Sequence, residues 1–356
     1  MPAASENEII PWHQISAAIT APGPVSDLHF APGSRDSFAF STIDGALHFG
    51  IVETLHLKIT GSLNIPSISF LKFRWISKYS IVGIGFTSSI FCVLNDSRIY
   101  EIGLHSAPSE IEVFNGNTSI AIVGDLSGNL FVLDFEDYAT SKNENMFFTQ
   151  PTSATISRLD MDLEKLYNAK KPITSLNSPE NSNYILCGTS EGDIFILSIE
   201  TKLVRKWRKQ ITELKLNNVQ KLAINKLVKE LKPATIDCLS AIIIKSKFYI
   251  FTNFRNETAI LFYSDDNMKT FHLQKQYRVP SLRAKCPGSL NNVNDKWFMA
   301  SGTDMGDLII NEEGEDIVIL TMHESSITVA QWLPCARAFI SADSSGLMSI
   351  WTKTDK

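Results

Sequence analysis

Long apolar runs, paired cysteines and a leader are all missing from this 356-residue sequence. No stretch approaches the roughly 18 apolar residues that suggest a membrane span. The N-terminal residues MPAASENEII carry neither a basic segment nor an apolar h-region, so secretion is not expected. Cysteine is scarce: Cys92, Cys187, Cys238, Cys286 and Cys335 are odd in number and never spaced C-x-x-C. They read as reduced, mostly buried thiols of an intracellular protein, nuclear or cytoplasmic, and not as a disulfide or zinc framework.

Excess positive charge is also missing. The net charge is −5, which argues against general nucleic-acid binding. A phosphate cradle of the G-x-x-x-x-G-K-[ST] kind is absent, and the seven histidines show no H-E-x-x-H spacing. His29 and His48 alternate with apolar residues and read as core or rim positions. Glu312, Glu313, Glu315 and Asp316 lack the alternating oxygens of a calcium loop and read as a solvated hairpin. No metal, cofactor or small-molecule substrate is therefore expected.

What is present is a repeat. Five segments share one template of apolar strand, short polar turn with glycine, and apolar strand. They start at Phe38, Ile120, Tyr184, Phe298 and Phe339, with turn glycines Gly45, Gly128, Gly192, Gly306 and Gly346. Gly306 to Gly346 is 40 residues, and Gly45 to Gly128 is 83, about two periods of 41. Degenerate units from Ile68 and Ile236 fill the gaps, which makes seven. VSDLHF at Val25, ITSLN at Ile173 and ITVAQW at Ile327 read as opening strands of such units. Four-stranded antiparallel meanders repeated about every 42 residues predict an all-β, seven-bladed propeller spanning 1–356.

In the last unit, His323, Ser341 and Trp351 stand where the WD40-repeat family carries a blade-rigidifying hydrogen-bond network. The chain resembles that family. The resemblance implies a disc-shaped protein-interaction scaffold, and it implies that Ser345 replaces the aspartate of the network. The last unit stops after its third strand near Trp351, and IIPWHQISAAI is apolar enough to supply the fourth. That predicts a ring closed by an N-terminal strand, with Trp12 and Ile15 packed into the final blade.

Two long insertions remain, at 135–172 and 209–235, both expected to be helical connections flanking blade 4 on one rim. In the first, Leu159, Leu163, Leu166 and Tyr167 fall at helical spacing. In the second, Trp207, Ile211 and Leu214 do the same. From Lys202 to Lys232 there are ten Lys or Arg against two Glu, a strong local bias in an acidic chain. Arg205, Lys206, Trp207, Arg208, Lys209, Lys221, Lys226 and Lys229 are thus candidate partner-binding residues of a basic amphipathic docking element. The partners expected are proteins of a multisubunit assembly. Plain packing on the propeller is the alternative role for this element.

Two other functions are weighed. A propeller hydrolase would need a histidine with Ser or Asp partners at the central channel. The string Gly188-Thr189-Ser190-Glu191-Gly192 satisfies G-x-S-x-G, but two β-patterned strands flank it, so it reads as a blade turn. A phosphoinositide-binding propeller would carry an FRRG motif, and the nearest match, Phe254-Arg255-Asn256-Glu257, puts an acid in the phosphate pocket.

Overall fold

Each template unit forms the middle of an antiparallel meander that is covered on both faces, which is why its strands are apolar at nearly every position. The computed structural model describes residues 12–14, 19–54, 56–64, 68–78, 80–94, 98–114, 119–135, 155–159, 163–206, 209–228, 231–266, 268–281, 284–334 and 336–353. These form seven sheets arranged as blades. The innermost strands, in order, are Val25–Phe30, Phe70–Ser77, Pro108–Val113, Ile173–Asn177, Ile236–Ile244, Gly288–Val293 and Ile327–Trp332. Each touches the next, and Ile327–Trp332 of blade 7 lies against Val25–Phe30 of blade 1. The chain is an all-β, seven-bladed propeller.

Seven apolar clusters hold it together, one between each pair of neighbouring blades. Strand alternation divides the residues between them. Ile81 faces blade 1 beside Phe49 and Phe70, while the next residue, Val82, faces blade 3 beside Ile111 and Val123. Ser80–Gly85 and Ile120–Asp125 are consequently buried throughout. Each fully buried Leu, Ile or Phe contributes about 1.5–3 kcal/mol, and the clusters repeat that contribution round the ring.

The turn glycines have a steric cause. Gly306 sits at φ +90°, and a Cβ there would lie 2.0 Å from the His323 carbonyl oxygen. Gly45, at φ +99°, would meet the Ile68 carbonyl oxygen at 2.4 Å. In both blades the turn between second and third strands is wedged against the connection to the next blade. Those turns and connections therefore share one face, called here the glycine-turn face.

Among the described residues, the insertions are mostly strand and not the helices expected. Lys209–Lys221 is a 13-residue strand, the fourth of blade 4, paired with the 13-residue third strand Ile194–Lys206. Ile224–Leu227 is the only α-helix among the described residues. Glu164–Asn168, which carries Leu166 and Tyr167, is the fourth strand of blade 3. The physical reason is edge demand: the third strands of blades 3 and 4 need a hydrogen-bonded neighbour, and pairing overrides local helical spacing. Asn217 is the extra residue of a β-bulge, since Ser198 pairs with Asn218 and Ile199 with Leu216.

Their placement also changes. Both insertions begin within a blade, between its third and fourth strands, so they leave from the face opposite the glycine turns. Part of the first reaches back: Thr155–Arg158 pairs in parallel with Arg98–Gly103 at the outer edge of blade 2. In blade 7, Trp12–Gln14 pairs with Trp351–Lys353, and Ile19–Thr20 pairs with Leu347–Met348. Ile15 lies outside the described residues.

Candidate functional site

The first strand of each blade lines a central channel of about 1200 Å³, and its charges are concentrated in blades 1–3. Asp27 and His29, Lys72 and Arg74, and Glu110 and Glu112 occupy the third and fifth positions of their strands. Arg74 donates from Nη1 to Asp27 Oδ2 at 3.2 Å and from Nε to Glu112 Oε2 at 3.2 Å. His29 Nε2 lies 2.6 Å from Arg74 Nη1 and 3.1 Å from Asp27 Oδ1. Burial pushes the Asp27 carboxyl up, but His29, Arg74 and Lys72 outweigh it and hold it below the usual range.

A second cluster spans the channel. Lys285, just before blade 6, reaches Glu110 of blade 3 at 2.7 Å and the Thr174 carbonyl at 3.0 Å. Lys72 of blade 2 bonds the other oxygen of Glu110. Burial draws Lys72 down to about 8, against the attraction of Glu110. Burial opposes charge on Glu110 too, yet Lys285 and Lys72 keep its carboxyl low. One buried carboxylate thus ties three blades together through two ammonium groups.

Elsewhere round the channel, polar side chains stitch neighbouring blades by bonding backbone. The Ser175 hydroxyl accepts from Leu239 N–H at 2.8 Å, and Asn177 Oδ1 accepts from Ala241 N–H at 3.0 Å. Ser240 accepts from Leu290 N–H at 3.1 Å, and Ser289 donates to the Ala330 carbonyl at 2.6 Å. Innermost strands of different blades do not form a common ladder, so their channel-facing backbone groups need these partners.

Blade 7 carries a buried network. His323 Nδ1 lies 2.8 Å from Asp343 Oδ2, and His323 Nε2 lies 2.7 Å from Ser341 Oγ. Trp351 Nε1 donates to the same Ser341 Oγ at 2.8 Å. The three residues named from the sequence therefore meet, and the aspartate is Asp343, two positions before the Ser345 expected to replace it. Asp343 Oδ1 accepts from the N–H groups of Ser345 and Leu347 and from the Ser345 hydroxyl. Burial pushes the His323 imidazole below its ordinary 6.5 although Asp343 opposes this. A lowered folded pKa means stability present above pH 6.5 and lost as pH falls through the lowered value. Unfolding midpoints between about pH 7.5 and 5 should fall, and His323→Gln should remove part of that slope.

The acidic hairpin differs from the solvated one expected. Glu312 is buried and accepts from Lys353 Nζ at 2.7 Å, with Glu315 on the same ammonium at 2.5 Å. Arg255 of the FRRG-like string donates to Asp237 at 3.0 and 2.7 Å, and Glu257 accepts from Arg278 at 2.6 Å. Gly188–Gly192 is the blade 4 turn, with Gly192 at φ +84°.

The basic candidates separate. Arg205 and Lys206 end the third strand of blade 4 and face Gln210 and Lys209 in register. Trp207, Arg208 and Lys229 lie outside the described residues. Lys221 pairs with Asp193 at 2.7 Å and sits 5.9 Å over the Phe195 ring. Lys226 is exposed on the helical turn, while Leu222, Ile224 and Val228 around it are buried between blades 4 and 5. Ser198 is the last residue paired with the second strand, Ile199 N–H still bonds the Asn183 carbonyl, and Ile199 and Leu214 are buried between blades 3 and 4 at the hairpin's base. Beyond the Thr201–Leu214 pair, five paired residues per strand make an arm of roughly 16 Å.

Sequence reasoning missed a set of exposed apolar residues. Ile43, Phe86 and Leu126 each directly follow the second strand of blades 1, 2 and 3, and are 48%, 68% and 54% exposed. All three lie in turns on the glycine-turn face, one per blade, and Ile43 borders the channel. Met305 adds a fourth on blade 6. The signal was an apolar residue inside a turn that otherwise favours Asp, Ser and Gly.

Fold and network together define a seven-bladed β-propeller whose last blade carries a network resembling that of WD40 repeats. No family model matches the sequence, and no curated protein matches it. Among solved structures, the β-propeller domain of Cps50 (Swd1) from Myceliophteria thermophila is similar, with a TM-score of 0.65 and 14% identity. That match covers 97% of this chain and 100% of the other. At this identity the likeness describes the fold alone.

Proposed function

We propose that this protein is a non-catalytic scaffold subunit that holds other proteins of a multisubunit assembly. The observation that carries this reading is the set of exposed apolar residues Ile43, Phe86 and Leu126 on one face of a stiff disc. Exposed apolar side chains repeated on one face of a rigid frame suit partner docking. The blade 4 arm is the second docking element, offering Arg205, Lys206, Trp207, Arg208 and Lys209 to an acidic partner surface. Lys221 and Lys226 belong to its packed base. Trp12–Gln14 and Ile19–Thr20 close the ring in this reading. An intracellular setting, nuclear or cytoplasmic, suits the buried free thiols Cys92, Cys187, Cys238 and Cys286.

The rival hydrolase reading draws on His29 and Asp27 in the channel. What favours the scaffold is that Arg74 already engages both. For membrane binding, Asp237 already engages Arg255 in the FRRG-like string.

Two variants test the scaffold against co-purifying proteins identified by mass spectrometry. One combines Phe86→Glu with Leu126→Glu. The other joins Thr201 to Leu214, which are directly paired, through an Asn-Gly turn. Each should lose at least one partner with an unchanged thermal midpoint. Recovery of every partner by both variants would sink the reading.

A further inference from the structure

The outer edges of the blades are not alike. An unpaired outer strand offers its N–H and C=O groups to any passing chain, and proteins guard such edges with charge. Blade 1 has Lys58 on His56–Asn64, and blade 3 has Glu164 and Lys165 on Glu164–Asn168. Blade 4 has Lys215 and Lys221 on its outer strand, and blade 5 has Lys275 and Arg278 on His272–Arg278. The edges of blades 2 and 7 are covered by Thr155–Arg158 and by Trp12–Gln14 with Ile19–Thr20.

Blade 6 is the exception. Its outer strand, Val318–Thr321, reads VILT with no charge, and among the described residues no strand lies beyond it. Val318 and Leu320 pack inward toward blade 7. Ile319 is 61% exposed, and Ile317 beside the strand is also exposed. Ile319 pairs with Ile309, which belongs to the cluster between blades 5 and 6, so the apolar side opens toward that cleft. The turn before the strand is acidic: Lys353 engages Glu315, while Glu313 and Asp316 add two further carboxylates.

We propose that this edge accepts an extended segment of a partner protein as a fifth strand, with alternating apolar residues and Lys or Arg at its C-terminal end. Antiparallel addition gives the more stable ladder and places the partner's C-terminal residues beside Ile317 and Asp316. There its cations meet the acidic turn. A second copy of this chain fits less well. Two-fold pairing about Ile319 would set Asp316 against Met322 and Glu315 against His323, whose imidazole is already engaged by Asp343 and Ser341. The inference rests on the scaffold reading but concerns a different surface.

The probe is a fluorescein-labelled peptide alternating valine and threonine and ending in two lysines, beside a control ending in two glutamates. Anisotropy should show the lysine peptide binding at least about tenfold more tightly. Hydrogen exchange over 317–321 should slow in its presence. Ile319→Lys should abolish both effects, and Asp316→Lys should reverse the peptide preference, with unfolding midpoints unchanged. No slowing at the strand, or equal binding by Ile319→Lys, would overturn the proposal. So would a dimer that Ile319→Lys dissociates, which would make the occupant a second copy. If these fail while the Phe86 and Leu126 variant still loses partners, the edge proposal falls and the scaffold stands.

Discussion

Replacing Trp12 with alanine should lower stability by about 3–5 kcal/mol, the range for deleting a buried tryptophan side chain. Trp12 is buried, with its ring 5.7 Å from Trp332 and 5.6 Å from Phe339. Phe339 in turn stacks on Trp351 at 6.1 Å, so the loss reaches the ring that the Ser341 network positions. The strand Trp12–Gln14 has only three residues, too few for ladder hydrogen bonds alone to hold it. Its tryptophan is the anchor. Without it, Leu347–Lys353 becomes an open edge over much of its length. Urea unfolding should show a lower midpoint, and amide exchange should accelerate across 347–353. Trp12→Phe, which keeps most of the apolar volume, should recover more than half of the loss. A Trp12→Ala protein with the original midpoint and unchanged protection at 347–353 would show that this strand does not close the ring.

The blades were legible because their constraints are local. A glycine at positive φ, two apolar strands and a fixed interval recur wherever a turn is wedged against the next connection. The blade 7 network was legible for the same reason, through His323, Ser341 and Trp351. Its aspartate was not, because Asp343 reaches His323 from two residues earlier while also organising the turn to Leu347. No spacing rule anticipates that substitution.

The arm misled for a different reason. Trp207, Ile211 and Leu214 satisfy helical spacing, while Leu214 and Leu216 also satisfy alternation. Only the open edge of Ile194–Lys206 decides between them, and that edge is tertiary. The channel clusters lay further from reach. Glu110 and Lys285 are 175 residues apart in sequence and meet only because the ring closes. A hint existed: charged residues interrupt the opening strands of blades 1–3 at the third and fifth positions, where a purely structural strand would be apolar.

Glu110→Gln is the sharpest test of that cross-channel tie. Glu110 is nearly fully buried and holds Lys72 and Lys285 together. Glutamine keeps the shape and removes the charge, leaving two partly exposed ammonium groups without their shared buried counterion. Breaking a fully buried pair from one side costs about 3–5 kcal/mol, and the solvent reaching Lys285 and Lys72 brings the expected loss below that, to roughly 1–3 kcal/mol. Lys285→Met should cost less, because Glu110 retains Lys72. Replacing all three residues with apolar ones of similar volume should recover most of the loss, since the desolvation penalty then disappears. The pH dependence separates this cause from a packing defect. With Glu110 gone, burial and the repulsion between the two lysines act against the weaker attraction of Asp27 and Asp237, and the folded pKa values are expected to fall relative to the unfolded 10.5. In that window the unfolded chain binds more protons, so stability rises with pH. The deficit of Glu110→Gln should therefore shrink as pH rises from about 7 to 10, whereas a packing defect would be indifferent to pH. In the unmodified protein, the depressed Glu110 carboxyl contributes stability above its ordinary 4.5, and loses it as acid protonates the group. A Glu110→Gln midpoint equal to the original at neutral pH would mean that water, not the fold, screens these three charges.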